Sequence, residues 1–399
     1  MVVCSPRLGL IVILSLAVVS GCASLDSSPG SRSLAVEKLP EDAAVAAAVF
    51  GPNGRLWRLI VADQALYVDT SDDGGTRYGA AVAVTPHPEP VLARAEDRPS
   101  IAVDAQGGVY VVYTAGAHAA PATYLAYSAD GGRQFNAPLP LRNPADHSRH
   151  YQASMIVAPA GQLYVFWNDE RGKEPAATES HGAALYYATG DRPAMASLSN
   201  RKLAEGLCNC CRLDVDLDVD GLPVVLARFV YPGQVRDHGM LKASPAGLLG
   251  TPWRVTEDDW QIEACPMHGP ALSIARDGRF HIAWFTQGRR RQGLFYAHSD
   301  DRGLHFSAPM ALGRDQGLHG HADILALNDR VVLVWHHFDG NQNHIVAMQS
   351  HDRGATWSAP VTVAQTGAVS DHPFLISDDR RLFLSWNSTD HGHRLIPID

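Results

Sequence analysis

The chain is short of positive charge, of thiols and of long helical patterns. It carries 33 Lys and Arg against 42 Asp and Glu, a formal net charge of −9 over 399 residues. Phosphate backbones are held by a concentrated basic face, so nucleic acid is excluded as a partner. Amphipathic helical periodicity is scarce, whereas 35 Gly and 25 Pro punctuate short apolar stretches. That pattern reads as many short strands with many turns, an all-β fold. There are six cysteines, with no thioredoxin-like context around them.

The apolar run after Arg7, "LGLIVILSLAVVS", is too short to span a bilayer and ends in "VSGC", Val19 to Cys22. It resembles a bacterial lipoprotein signal, which implies cleavage before Cys22 and a lipid on its sulfur. Residues 1–21 are then the signal peptide, 22–32 ("CASLDSSPGSR") a flexible lipidated tether, and 33–399 one domain. Ala23 stands where an inner-membrane retention signal places Asp, which favours an outer-membrane lipoprotein facing the periplasm or the cell surface. Cys4 leaves with the signal and Cys22 is lipidated, so Cys208, Cys210, Cys211 and Cys265 remain. In an oxidising compartment, disulfides are the default for an even set.

A short element recurs: "SDDGGTRY" at 71, "SADGGRQF" at 128, "SDDRGLHF" at 299 and "SHDRGATW" at 350. Each reads Ser-x-Asp-x-Gly-x-x-aromatic, with Ser71, Asp73 and Gly75, Ser128, Asp130 and Gly132, Ser299, Asp301 and Gly303, and Ser350, Asp352 and Gly354 in the fixed positions. The aspartate can accept backbone N–H bonds within a hairpin turn, the glycine allows positive φ, and the aromatic can pack between sheets. These elements resemble the Asp-box, or bacterial neuraminidase repeat, of sialidase-like β-propellers, which implies four-stranded blades with the boxes peripheral to the active site. Successive aspartates lie 57, 171 and 51 residues apart, leaving space for two degenerate units around Asp191 and Ser244. With a three-stranded tail after 352, this favours seven blades, the last closed by an outer strand from 33–39. Six blades result if the strands of "AAVAAAVFGPNGRLWRLIVAD" merge with the tail instead. Closure by both chain ends removes exposed sheet edges.

Aligning the units gathers the lead-ins of the inner strands on one face. They are "DRPS" with Arg98, "RHYQ" with His150, "CNCCR" with Cys208 to Arg212, "CPMHGP" with Cys265 and His268, "LHGHAD" with His319 and His321, and "SDHP" with His372. Loops between second and third strands add Asp169 and Arg171, Arg228 to His238, Arg289 to Arg291, His336, His337 and His344, and His391 and His393. A polar funnel over apolar strands is the place to look for function.

Three chemistries fit this face. Cys208, Cys210 and Cys211 open the fourth unit and Cys265 the fifth, so Cys265 can bridge one of the three. Alternatively the thiolates, with His268, His319 and His321, can hold a soft metal, copper or zinc. Redox cycling of the cysteines is the third option. The resemblance to sialidases implies a three-arginine clamp, a tyrosine nucleophile with its glutamate, and an aspartate acid–base group. Arg98, Arg212, Arg228, Tyr231, Arg236 and Asp237 are the candidates for these roles, although the early Arg-Ile-Pro motif is absent and no Tyr/Glu pair is assignable. The leading expectation is a monomeric, membrane-tethered propeller that binds a glycan, a protein or a soft metal at its funnel. The alternative is an exo-α-sialidase acting on sialylated or related acidic glycans.

Overall fold

The computed structural model describes residues 45–86, 89–117, 120–142, 147–171, 182–191, 198, 200–313 and 316–398. Cys22, the tether and the expected closing strand at 33–39 lie outside the described residues. Every regular element among the described residues is a β-strand, and all the pairings are antiparallel. The first sheet is β1 (Ala46–Phe50), β2 (Leu56–Ala62), β3 (Ala65–Ser71) and β4 (Val82–Ala83). In the second, β5 (Val91–Leu92) and β6 (Ser100–Val103) both pair with β7 (Val109–Ala115), followed by β8 (Ala122–Ser128) and β9 (Leu139–Pro140).

A third set, β10 (His150–Val157), β11 (Leu163–Asp169), β12 (Ala183–Gly190) and β13 (Asn200–Leu207), is joined to a fourth, β14 (Asp214–Leu217), β15 (Pro223–Tyr231), β16 (Val235–Ser244) and β17 (Gly247–Arg254). The join is the single pair Leu207 to Phe229. Next come β18 (Ala271–Ile274), β19 (Phe280–Gln287), β20 (Gln292–Ser299) and β21 (Met310–Leu312), then β22 (Leu318–Leu327), β23 (Arg330–Phe338), β24 (Asn343–Ser350) and β25 (Val361–Thr366). The tail forms a three-stranded sheet, β26 (Phe374–Ser377), β27 (Leu382–Ser388) and β28 (Gly392–Ile398). The strands β1 to β4 form a sheet of their own rather than extending this tail.

The second strand of each set is buried on both sides, and its period of two serves two neighbours. Val109, Val111 and Tyr113 join a cluster with Trp57 and Leu59 of the first sheet, while Tyr110 and Val112 join one with Leu163, Val165 and Trp167 of the third set. The same division separates Val331, Leu333 and Trp335 from Val332 and Val334. Each such side chain removed from water contributes about 1.5–3 kcal/mol.

Inner strands touch in chain order, β1, β6, β10, β14, β18, β22 and β26, and β26 touches β1 again. Their backbones do not pair with one another, so carboxylates stitch them. Asp97 accepts from Gln152 N at 3.1 Å, Asp214 from Leu272 N at 2.7 Å, Asp216 from Ile274 N at 2.6 Å, and Asp323 from Leu375 N at 2.6 Å.

The four Ser-x-Asp-x-Gly turns follow β3, β8, β20 and β24 and share one bonding pattern. Each serine Oγ donates to its aspartate (2.7–2.8 Å) and accepts from the glycine N–H (2.8–2.9 Å). The aspartate accepts a further N–H four residues on, from Arg77, Gln134, His305 or Thr356. Two of the glycines lie hard against the preceding sheet. A Cβ on Gly132 would sit 2.5 Å from Trp57, and one on Gly354 would sit 2.1 Å from the Tyr296 hydroxyl.

Candidate functional site

At the opposite end, the lead-ins of the inner strands converge as the spacing predicts, with a centre that the sequence reading did not single out. Glu96, ahead of β6, meets His321 of β22 and His372, ahead of β26. Glu96 Oε1 lies 3.0 Å from His321 Nδ1 and 3.7 Å from His372 Nδ1. The His321 ring stacks on His372 at 3.5 Å and on His268 at 4.4 Å, centroid to centroid. A bulge builds this contact. The register of β22 against β23 shifts between Gly320 and Asp323, and His321 takes φ of +50°. Bulges of this kind re-aim a side chain, and a left-handed non-glycine residue stores strain. Gly320 leaves the room, since a Cβ there would stand 2.7 Å from the His268 ring.

The polar atoms of this centre are close to one another but poorly bonded. Both carboxylate oxygens of Glu96 and the Nδ1 atoms of His268, His321 and His372 are buried without a well-formed hydrogen bond. Burial pushes the Glu96 carboxyl up to about 7, with Arg212 and Arg228 opposing. Burial drives His321 down to about 3, with Arg212 adding to it, and does the same to His268, where His321 adds. His372 falls well below its ordinary value for the same reason. Neutral imidazoles beside a carboxyl that titrates near neutrality can donate, accept or bind a cation.

Two cavities flank this centre. One of about 700 Å³ is lined by His268, Phe285, His319, His321, His336 and Phe338, among others. Another of about 320 Å³ contains Glu96, Arg98, Arg212 and Phe374. Within the first, His319 stacks on His337 at 4.3 Å and accepts from Trp335 Nε1 at 3.3 Å, and His336 bonds Asn343 at 2.9 Å.

The cysteines divide in two. Cys210 and Cys265 form a disulfide that ties the lead-in of β14 to that of β18. Cys208 and Cys211 keep buried thiols. Cys208 Sγ lies 3.4 Å from Cys211 Sγ and 3.5 Å from Cys210 Sγ, and accepts from Arg236 Nη1 at 3.2 Å. The Cys211 hydrogen bond, helped by Arg228 and Arg236, pulls the Cys208 thiol down to about 6, whereas burial raises Cys211. Three thiolates cannot act together while Cys210 is oxidised.

The arginines separate likewise. Arg98 pairs with the buried Asp371 and lies over the Phe374 ring at 3.7 Å; Arg212 donates to Ala322 O at 2.8 Å. Arg228 is spent on the carbonyls of Arg236, His268 and Phe285, and Arg236 on that of Ile262. Tyr231 lies under Arg254, and Asp237 accepts from Arg254 and from the N–H groups of Asp258 and Asp259. The structure therefore brings Arg98 and Arg212 to the funnel and sets Arg228, Tyr231, Arg236 and Asp237 within the packing of the fourth set. His150 is fully buried, stacked on Trp167 and close to Asp169. Glu96 had one signal in the sequence: it precedes Arg98 by two residues, as Cys210 precedes Arg212 in the same register.

No family model and no curated protein matches the chain. Solved structures do. A polysaccharide lyase of family PL25, an ulvan lyase, superposes with a TM-score of 0.60 at 11% identity, covering 90% of this chain and 94% of that one. The fold is a sialidase-like β-propeller. The Hadza microbial sialidase Hz136 gives a TM-score of 0.51 at 11% identity over 85% of this propeller and 74% of that chain. A mutant of the α-L-arabinofuranosidase Arb93A from Fusarium graminearum gives 0.51 at 11% identity over 78% and 95%.

Proposed function

We propose that this chain is an extracytoplasmic, lipid-anchored propeller of seven blades that binds a glycan at the funnel of its inner-strand lead-ins. The observation that carries this reading is the cavity of about 700 Å³ between the β18–β21 and β22–β25 sheets. It has the size of a small-ligand site, and it offers Phe285 and Phe338 for apolar sugar faces and His319, His336 and Asn343 for hydroxyls. The blade count is supported by the ring of contacts from β1 through β26 and back to β1, and the Asp-box assignment by the four identically bonded turns. Structures of the same fold include a sialidase, an α-L-arabinofuranosidase, and an ulvan lyase bound to -[GlcA(1-4)Rha3S]-. The anchor rests on Cys22, and fatty-acid labelling that is lost in Cys22→Ser tests it.

Calorimetry with neutral, uronate-containing, sulfated and sialylated oligosaccharides tests the binding. Saturable binding to one class, weakened about tenfold or more by Phe338→Ala or His336→Ala, is expected, since each removes a contact worth at least 1.4 kcal/mol. No saturable binding across the panel would sink the reading. Sialoside hydrolysis is the second reading, favoured by Arg98 and Arg212 lining one cavity with Glu96. Fluorogenic sialosides left intact by the wild type would remove it.

A further inference from the structure

We infer that Glu96, His321 and His372 form a binding site for a divalent first-row transition metal, zinc in the first place, at the base of the funnel. The inference does not depend on the glycan reading. The donor atoms of the three residues all lie within 4.8 Å of one another. Donors about 2.1 Å from a common zinc ion stand roughly 3 to 4 Å apart, and Glu96 Oε1 lies 3.0 and 3.7 Å from the two imidazole nitrogens. Two imidazoles and one carboxylate suit zinc and its neighbours in the series.

Three features set the cluster apart from an ordinary group of core histidines. A buried carboxylate is expensive without strong partners, and here Glu96 has the Arg212 N–H and the nearby His321 Nδ1, neither in well-formed hydrogen-bond geometry. A cation would draw one atom from each of the three residues into a single set of bonds. His321 is held in a left-handed conformation at a bulge, the local device that turns its ring toward Glu96. The residues also arrive from three sheets, Glu96 from the second and the two histidines from the last two, so no local motif accounts for their meeting. The nearest guanidiniums favour the Glu96 carboxylate through charge alone and make their hydrogen bonds elsewhere. Arg98 is paired with Asp371, and Arg212 is engaged with Ala322 O and has the carboxylates of Asp214 and Asp323 near it.

Three protein donors leave coordination positions for water or ligand. His268 and His321 both line the larger cavity, so an ion bound beside His321 would lie next to the space where a ligand enters. The thiols are a separate system, because Cys210 is committed to its disulfide.

The test uses the full chain, stripped with a chelator and titrated with Zn²⁺ against a chromophoric competitor. One ion per chain is expected. Glu96→Gln, His321→Ala and His372→Ala should each weaken binding at least tenfold, and the Cys208→Ser/Cys211→Ser double variant should leave it unchanged. Co²⁺ loaded into the wild-type protein keeps the test decisive if a variant fails to fold. Weak visible bands without a sulfur-to-cobalt charge-transfer band support nitrogen and oxygen ligation. A strong charge-transfer band, loss of binding in the cysteine double variant, unchanged affinity in folded Glu96→Gln, or no stoichiometric binding by the wild type would overturn the inference.

Discussion

The two ends of this propeller are built from the same strands and differ in how they treat polar groups. At the Ser-x-Asp-x-Gly turns the motif satisfies itself, and the aspartates sit among donors that hold them low, Asp73 and Asp352 at about 2. At the funnel, Glu96 is raised to about 7 and His268 and His321 are lowered to about 3, each pushed by burial toward its neutral form. Repetition makes the first end sturdy. The second carries costs that a fold selected for stability alone would remove, which is a common mark of a functional site.

The largest test of this contrast is covalent. The funnel end has a disulfide across 55 residues of sequence, Cys210 to Cys265, and the described turns at the other end have none. Closing a loop of that length lowers the entropy of the unfolded chain, so the Cys210→Ser/Cys265→Ser variant should lose about 4 kcal/mol in denaturant unfolding. A loss below about 1 kcal/mol, no more than one ordinary hydrogen bond, would mean that the funnel is held by its packing and is sturdier than its unsatisfied groups suggest.

The glycines come next. Gly132→Ala and Gly354→Ala each place a Cβ inside a neighbouring aromatic side chain, at positive φ of 77° and 84°. Overpacking and strain together should cost about 3 kcal/mol, read from denaturant midpoints at constant slope. At the funnel, Gly320→Ala meets only the edge of the His268 ring, at ordinary φ. Its cost should be nearer 1 kcal/mol, with the effect appearing in ligand or metal affinity instead. Equal costs at both ends would erase the distinction.

The sequence spoke clearly about the sturdy end because that end is local. A serine, an aspartate and a glycine within five residues carry their own hydrogen bonds, so the repeat is visible without tertiary information. The lead-ins were legible too, since strand order follows chain order and their positions follow from counting. Which lead-in residues meet was not legible. Glu96 and His321 are brought together by a bulge that shifts the register of β22, and a slip of one position redirects a side chain. The roles of Arg228 and Arg236 were hidden for another reason: only packing shows that their guanidiniums are engaged by backbone carbonyls and, for Arg236, by the Cys208 sulfur. Pairing of Cys265 with one of three cysteines was foreseeable, and the choice of Cys210 depended on a few ångströms of placement.

Acid provides the smallest test and the one that can reassign a property from one end to the other. His281, in β19 near the turn after β24, is fully buried, bonds the Tyr296 hydroxyl at 2.9 Å and is driven down to about 3 by burial, with His298 adding to it. In the unfolded chain such a group titrates near 6.5, so its contribution is complete above that pH and is lost as pH falls toward 3. Between about pH 7 and pH 5 the loss should be about 2 kcal/mol, and His281→Gln should flatten the acid limb of stability by that amount. His268 and His321 at the funnel titrate in the same sense. An acid limb that His281→Gln leaves unchanged would therefore move the acid sensitivity to the funnel. The end with unsatisfied groups would then be where the fold first opens as protons bind.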